Sequence, residues 1–146
     1  GFQVTGIDIS STVIARVKTK LLAAKFMAAD AKDLPLESSS FDVVCDAGAL
    51  HVNTPTDVPS ILREYQRVLS KQGVLFIRVF NKTVNDSDDP IFYVDSPNNT
   101  MPVYGYSKEK FISIVNNYFS VENVIYDPTY GLQGQGCNYF YCKHHL

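Results

Sequence analysis

No stretch of this sequence stays apolar for the ~20 residues that a bilayer span requires, and no charged-then-apolar leader opens it. Membrane insertion and secretion are therefore not expected. The three cysteines, Cys45, Cys137 and Cys142, form no CxxC pair and leave an odd count. That argues against a disulfide framework and for a reducing, cytoplasmic setting. Neither sign of charge dominates, with 13 basic against 15 acidic side chains and a net charge of −2. A nucleic-acid partner has no bulk electrostatic support. There is no P-loop and no G-x-S-x-G elbow, which counts against NTPase and hydrolase chemistry. Asp86, Asp88 and Asp89 lack the glycine and closing glutamate of a calcium loop, and read as a solvated loop. His144 and His145 lack a third spaced ligand and read as solvated tail residues, so no metal is expected. No repeat, heptad or linker divides the 146 residues, which read as one domain.

What is present is a soluble composition, 45% hydrophobic and 19% charged. Short apolar strands alternate with amphipathic helices, the signature of an α/β layer fold with a mostly parallel sheet. Residues 3–8 read as a strand ending in an acid. Ser10 is a helix N-cap, and Val13, Ile14, Val17 and Leu21 fall on one helical face. Residues 26–29 form a second strand before Asp30, and Phe41 to Cys45 a third. A helix from about Val58 to Ser70 presents Ile61, Leu62, Tyr65, Val68 and Leu69. Gly73 supplies a permissive turn into the strongest strand, Val74 to Phe80.

Residues 81–106 break this rhythm with turn residues and aromatics, as a substrate-side lid or insertion does. Ser107 caps a helix through about Tyr118, with Phe111, Ile114, Val115 and Tyr118 inward. Strands near 121–126 and 138–143 follow without a helix between them, which predicts an antiparallel pair closing the sheet. The glycine-rich run Gly131 to Gly136 joins those two strands and reads as their flexible connection.

Chemistry concentrates where strands end. In open α/β sheets ligands sit beyond the carboxyl ends of the strands. In Val4-Thr5-Gly6-Ile7-Asp8-Ile9-Ser10, the Asp8 carboxylate is placed to accept both hydroxyls of a ribose, with Ile9 against an adenine face. The alternative is that Asp8 only caps the next helix. In Ala28-Ala29-Asp30-Ala31-Lys32-Asp33-Leu34-Pro35-Leu36, Asp30 can accept from an adenine amino group, and the Ala31 N–H can bond a ring nitrogen. Two acids ending adjacent strands grip a nucleoside at sugar and base, which is more specific than either alone.

These segments, with Phe41-Asp42-Val43-Val44 and the run Leu62-Arg63-Glu64-Tyr65-Gln66-Arg67-Val68-Leu69-Ser70-Lys71-Gln72-Gly73-Val74-Leu75, resemble the class I S-adenosylmethionine-dependent methyltransferases. The likeness is nearest to the small-molecule branch that includes the tellurite-resistance enzymes. It holds in register over about residues 2–80 and fades to architecture beyond. It implies a Rossmann-like sheet with an antiparallel closing strand and S-adenosylmethionine as cofactor. It also implies ribose binding by Asp8 and adenine binding by Asp30. The turn Asp46-Ala47-Gly48 would lie near the methionine part, and Ala49, Leu50 and His51 would face the methyl acceptor. His51 either orients or deprotonates that acceptor or packs at a loop start. Tyr104 and Tyr106 either close over it or pack the long loop.

The family also carries a GxGxG loop after its first strand, about twenty residues before the Asp8 position. The sequence begins after that point, so an N-terminally truncated domain is expected. In the family strand order 3-2-1-4-5-7-6, the strands ending at Asp8 and Cys45 would then stand about 9–10 Å apart, twice the normal spacing. Poor stability of the monomer follows, relieved by direct pairing, a partner copy or an upstream segment. The leading expectation is methyl transfer from S-adenosylmethionine to a small molecule by in-line displacement. The alternatives are a non-catalytic methyltransferase-like binding module or a methyltransferase acting on a protein. Half of a nicotinamide dinucleotide domain fits less well, because the Asp30 signature and the closing strands have no place in it.

Overall fold

The computed structural model describes residues 1–82, 87–96, 99–131 and 135–145. Asp86 and residues 132–134 of the glycine-rich run lie outside the described residues. The chain falls into two units, Gly1–Leu36 and Glu37–Leu146.

The first unit is small. Strands β1 (Thr5–Asp8) and β2 (Lys25–Ala28) pair in parallel, with Asp8 opposite Ala28. Helix α1 (Ser11–Lys18) connects them and lies against both. The Ser10 hydroxyl accepts from Val13 N, the expected cap. The helix is shorter than its apolar spacing predicts: Leu21 falls outside it, and Val13 and Leu21 are exposed. Only Ile14 and Leu34 are buried apolar side chains in this unit. Gly6 is required by packing, since a Cβ there would stand 2.6 Å from the ring of its cross-strand partner Phe26.

The second unit holds the larger sheet, in the order β3 (Phe41–Asp46), β4 (Leu69–Asn81), β9 (Cys137–Lys143), β8 (Ser120–Asp127). β3 and β4 are parallel, whereas β9 runs antiparallel to both β4 and β8. The expected antiparallel closure is present, and it lets β9 reach the middle of the sheet without a crossover. A two-residue strand, β7 (Gly105–Tyr106), extends the far end of β4 in parallel.

Side chains alternate along β4. Leu75, Ile77 and Val79 point to one face with Phe140 and Cys142 of β9, and all five are buried. Helices α2 (Val58–Val68) and α3 (Lys108–Val115) supply the partners of this core. Ile61, Leu62, Tyr65 and Val68 of α2 are buried as their spacing predicts. The Phe111 ring of α3 packs at a tilt against Phe140, with centroids 4.7 Å apart. α3 is capped by Ser107 as expected but ends three residues before Tyr118. The opposite face carries Val43, Phe76 and Ile125 exposed.

One reading is corrected. The strand expected at Val74 starts at Leu69, and Gly73 is needed for space rather than for a turn. A Cβ at Gly73 would meet the Leu69 side chain at 2.7 Å and the Asp42 carbonyl at 3.0 Å. Within the turn-rich segment 81–106, β5 (Phe92–Ser96) and β6 (Asn99–Val103) pair antiparallel, which the turn-rich pattern does not predict. Phe92 and Val103 bury themselves with Phe80 and Cys137.

Candidate functional site

Asp8 and Asp30 end adjacent, paired strands within the first unit. The ladder continues one residue past β2, where Ala29 N donates to the Asp8 carbonyl at 3.1 Å, and Asp30 follows directly. Each acid closes a local turn: Asp8 Oδ1 accepts from Ser10 N at 2.8 Å and Asp30 Oδ1 from Lys32 N at 2.9 Å. Short acidic side chains that bond the backbone two residues on are natural strand terminators. In each carboxylate one oxygen is spent on the turn. The second oxygen of Asp30 stands 3.9 Å from Lys32 Nζ, a half-exposed pair of little energetic weight. Ile9, between the acid and the helix cap, is 75% exposed.

At the end of β3 the same local device points inward. Asp46 is buried. Its Oδ1 accepts from Gly48 N and Ala49 N, both at 2.8 Å, and its Oδ2 from Leu50 N at 3.2 Å and from the Tyr65 hydroxyl at 2.6 Å. Four donors satisfy a carboxylate that would otherwise carry a large desolvation cost. The Asp46 carboxylate thus shapes the turn Asp46-Ala47-Gly48 from within. Burial, then the neighbouring Asp46 charge, push the Tyr65 phenol well above its ordinary value. Ala47 offers its carbonyl to Arg78, and Gly48 lies beside the His51 ring. Leu50 is fully buried, so its place on the acceptor side is corrected: it belongs to the core.

His51 sits in a 3-10 turn, Leu50–Val52, with its ring 4.7 Å from that of Phe80. It is buried, and its Nδ1 has no hydrogen-bond partner. Burial lowers its pKa from the ordinary 6.5, with Asp46 opposing that shift more weakly. The imidazole is therefore neutral at neutral pH, with proton-accepting capacity. The His51 carbonyl accepts from Tyr104 N at 2.7 Å, which ties the turn to the strand-rich segment after it. Tyr104 is half-buried. Tyr106 is a core residue rather than a closing aromatic, 2% exposed with its ring 5.1 Å from Phe111. Its hydroxyl has no partner, and burial pushes its pKa up.

Among the described residues no cluster of three metal-ligating side chains occurs. His145 is exposed, but His144 is half-buried, with its Nε2 3.2 Å from the Leu69 carbonyl and its ring against Phe119. The spacing of residues gave no sign of Tyr65 as the partner of Asp46. Arg78 did leave a signal, as the one charge within the apolar strand Val74 to Phe80.

Residues 1–77 match the family model described as a methyltransferase domain. The ubiquinone/menaquinone biosynthesis C-methyltransferase of Campylobacter jejuni is 34% identical over 80 residues, 55% of this chain and 33% of that protein. The demethylmenaquinone methyltransferase of Thermotoga maritima is 33% identical over 75 residues, 51% of this chain and 32% of that protein. The chain thus spans about a third of the length of these curated relatives. Among solved structures, a SAM-dependent methyltransferase from Methanosarcina mazei superposes with a TM-score of 0.84 at 19% identity, covering all of this chain and 84% of that one. The 1,6-didemethyltoxoflavin-N1-methyltransferase of Burkholderia thailandensis, solved with bound 1,6-didemethyltoxoflavin and S-adenosylhomocysteine, superposes with a TM-score of 0.75 at 18% identity, covering all of this chain and 63% of that one. These likenesses show a Rossmann-like α/β fold, and the family match covers more than half of the sequence: the chain belongs to the methyltransferase domain family.

Proposed function

We propose that this chain takes part in S-adenosylmethionine-dependent methyl transfer to a small-molecule acceptor by direct in-line displacement. The observation that carries the reading is the placement of Asp8 and Asp30 at the tips of two paired parallel strands. The donor set fits a nucleoside. Each acid spends one oxygen on its own turn; the other oxygen of Asp8 is placed to receive ribose hydroxyls, and that of Asp30, held only by the weak Lys32 pair, an adenine amino group. The exposed Ile9 side chain offers apolar surface to the base, and the Ala31 N–H a donor to a ring nitrogen. When bound, S-adenosylmethionine supplies a methyl group on a sulfonium, activated for displacement. Holding the partners in line then provides much of the rate.

On the acceptor side His51 is the candidate base. Its burial favours the unprotonated imidazole, and its Nδ1, which has no hydrogen-bond partner among the described residues, is the ring atom with capacity to accept a proton. Small-molecule acceptors in the names of the Campylobacter, Thermotoga and Burkholderia proteins support that substrate class over a protein acceptor. A cytoplasmic setting belongs to the same reading, supported by the free cysteines Cys45, Cys137 and Cys142. Titrating S-adenosylhomocysteine into the protein by calorimetry tests the proposal: saturable one-to-one binding is expected, and no heat of binding at millimolar ligand rejects it.

A further inference from the structure

A pocket of about 510 Å³ opens beside the second half of β4, lined by Arg78, Phe80, Thr129, Tyr130 and Gly131. Its size falls in the range of small-molecule sites, roughly 300–1,000 Å³. None of its lining residues belongs to the grip on the nucleoside. Arg78 interrupts an otherwise apolar strand, and its fork is fixed from two sides. Nη1 donates to the Tyr130 hydroxyl at 2.7 Å, Nη2 donates to the Ala47 carbonyl, and the guanidinium carbon lies 4.6 Å from the centroid of the Tyr130 ring. Cation–π contact and hydrogen bonding together hold the plane of the group.

All of these partners are neutral. Among the described residues no carboxylate lies within ion-pair distance of Arg78, and its Nε is buried with no acceptor. A guanidinium keeps its charge, and a partly desolvated cation without an anion is a cost that an anionic ligand relieves. Phe80 and Tyr130 line the same space with aromatic rings, which favour a flat apolar body. Phe80 also meets the His51 ring, with centroids 4.7 Å apart, so one residue touches both the pocket and the candidate base.

We propose that this pocket is the acceptor subsite, and that it takes a planar conjugated ring bearing an anionic oxygen, with the oxygen on Arg78 and the ring between Phe80 and Tyr130. Calling the ligand an acceptor rests on the methyl-transfer reading above, whereas the binding claim stands on the pocket alone. The shared chemistry is a flat anion, and its oxygen belongs either to an acidic phenol or enol or to an aromatic carboxylate.

The test titrates the full chain by calorimetry with 4-nitrophenolate, with benzoate and with uncharged nitrobenzene. At least one anion should bind, more tightly than nitrobenzene, and the tighter of the two assigns the type of oxygen. Arg78→Gln should weaken that anion by about tenfold or more, the scale of a lost charge-assisted hydrogen bond. It should leave nitrobenzene unchanged. Because Arg78 also ties down the Ala47 carbonyl, Tyr130→Leu provides a second variant in the exposed connection. It should weaken the same anion by about fivefold, the scale of a lost aromatic platform. Absence of binding by both anions, equal binding of nitrobenzene, or an affinity unmoved in the folded variants overturns the proposal. S-adenosylhomocysteine titrated in parallel separates the two claims. If it fails while the anion still binds through Arg78, methyl transfer falls and the pocket stands. If it binds while both anions fail, only the pocket falls.

Discussion

Asp8 in the first unit and Asp46 in the second begin from the same local chemistry and end in opposite roles. Each ends a parallel strand, and each accepts a backbone N–H from two residues on at 2.8 Å. Around Asp46 the second unit supplies a covering helix, and Tyr65 of that helix seals the carboxylate into the core. Around Asp8 the first unit supplies two four-residue strands and one eight-residue helix, too little chain to bury an acid. The strand-terminal turn is thus a neutral device. Layer thickness around it decides whether the acid becomes scaffold or stays available to a ligand.

The contrast can be broken most forcefully in the second unit. Phe111→Ala removes a fully buried ring packed against Phe140 and Tyr106. It should cost about 3–5 kcal/mol of stability, seen as a lowered urea midpoint. A loss under about 1 kcal/mol would mean that the helix-covered face is not the core of the unit. Next in size is the Asp46–Tyr65 pair. Asp46→Asn and Tyr65→Phe should each destabilise by about 1–3 kcal/mol, and the double variant by clearly less than the sum. Additive effects would show that the 2.6 Å contact contributes nothing of its own.

Smaller still is the acid sensitivity of His51. Its folded pKa lies below the ordinary 6.5, so the unfolded chain binds the extra proton first as pH falls. Its contribution to stability is complete above about 6.5 and lost as pH drops from there toward the folded pKa. Urea midpoints taken above and below that value should fall for the native chain, and less steeply for His51→Asn. Identical slopes would remove His51 as the buried neutral group. The smallest effect is expected in the first unit: Leu22→Ser alters a side chain that is 89% exposed and should change stability by less than about 0.5 kcal/mol. A large loss there would show that the thin unit carries more of the fold than its exposed surface indicates.

These differences also explain what could be read before the structure. The helical spacing of Ile61, Leu62, Tyr65 and Val68 reports directly on a buried face. The near-continuous apolar run Val74 to Phe80 marks a strand without showing that Leu75, Ile77 and Val79 share the helix-covered face. The spacing predicts a longer α1 than forms, because Leu21 keeps helical spacing yet lies exposed beyond the helix. The sequence leaves Tyr106 between closing over an acceptor and packing the loop, because an aromatic in a turn-rich stretch has no period to assign it; the pairing of β7 with β4 and the Phe111 ring hold it in the core. The burial of the Asp46 carboxylate is illegible in the sequence for a deeper reason. In sequence Asp46 is one more acid after a strand, and its sealing partner lies nineteen residues away on a face that reads as purely apolar.

The most direct measurement compares the affinities of S-adenosylhomocysteine and adenosine for the native chain, Asp8→Asn and Asp30→Asn. If the two carboxylates hold the nucleoside, each substitution should weaken both ligands by the same factor, about tenfold for a lost charge-assisted contact. Affinities that do not move, or losses confined to S-adenosylhomocysteine, would contradict the account.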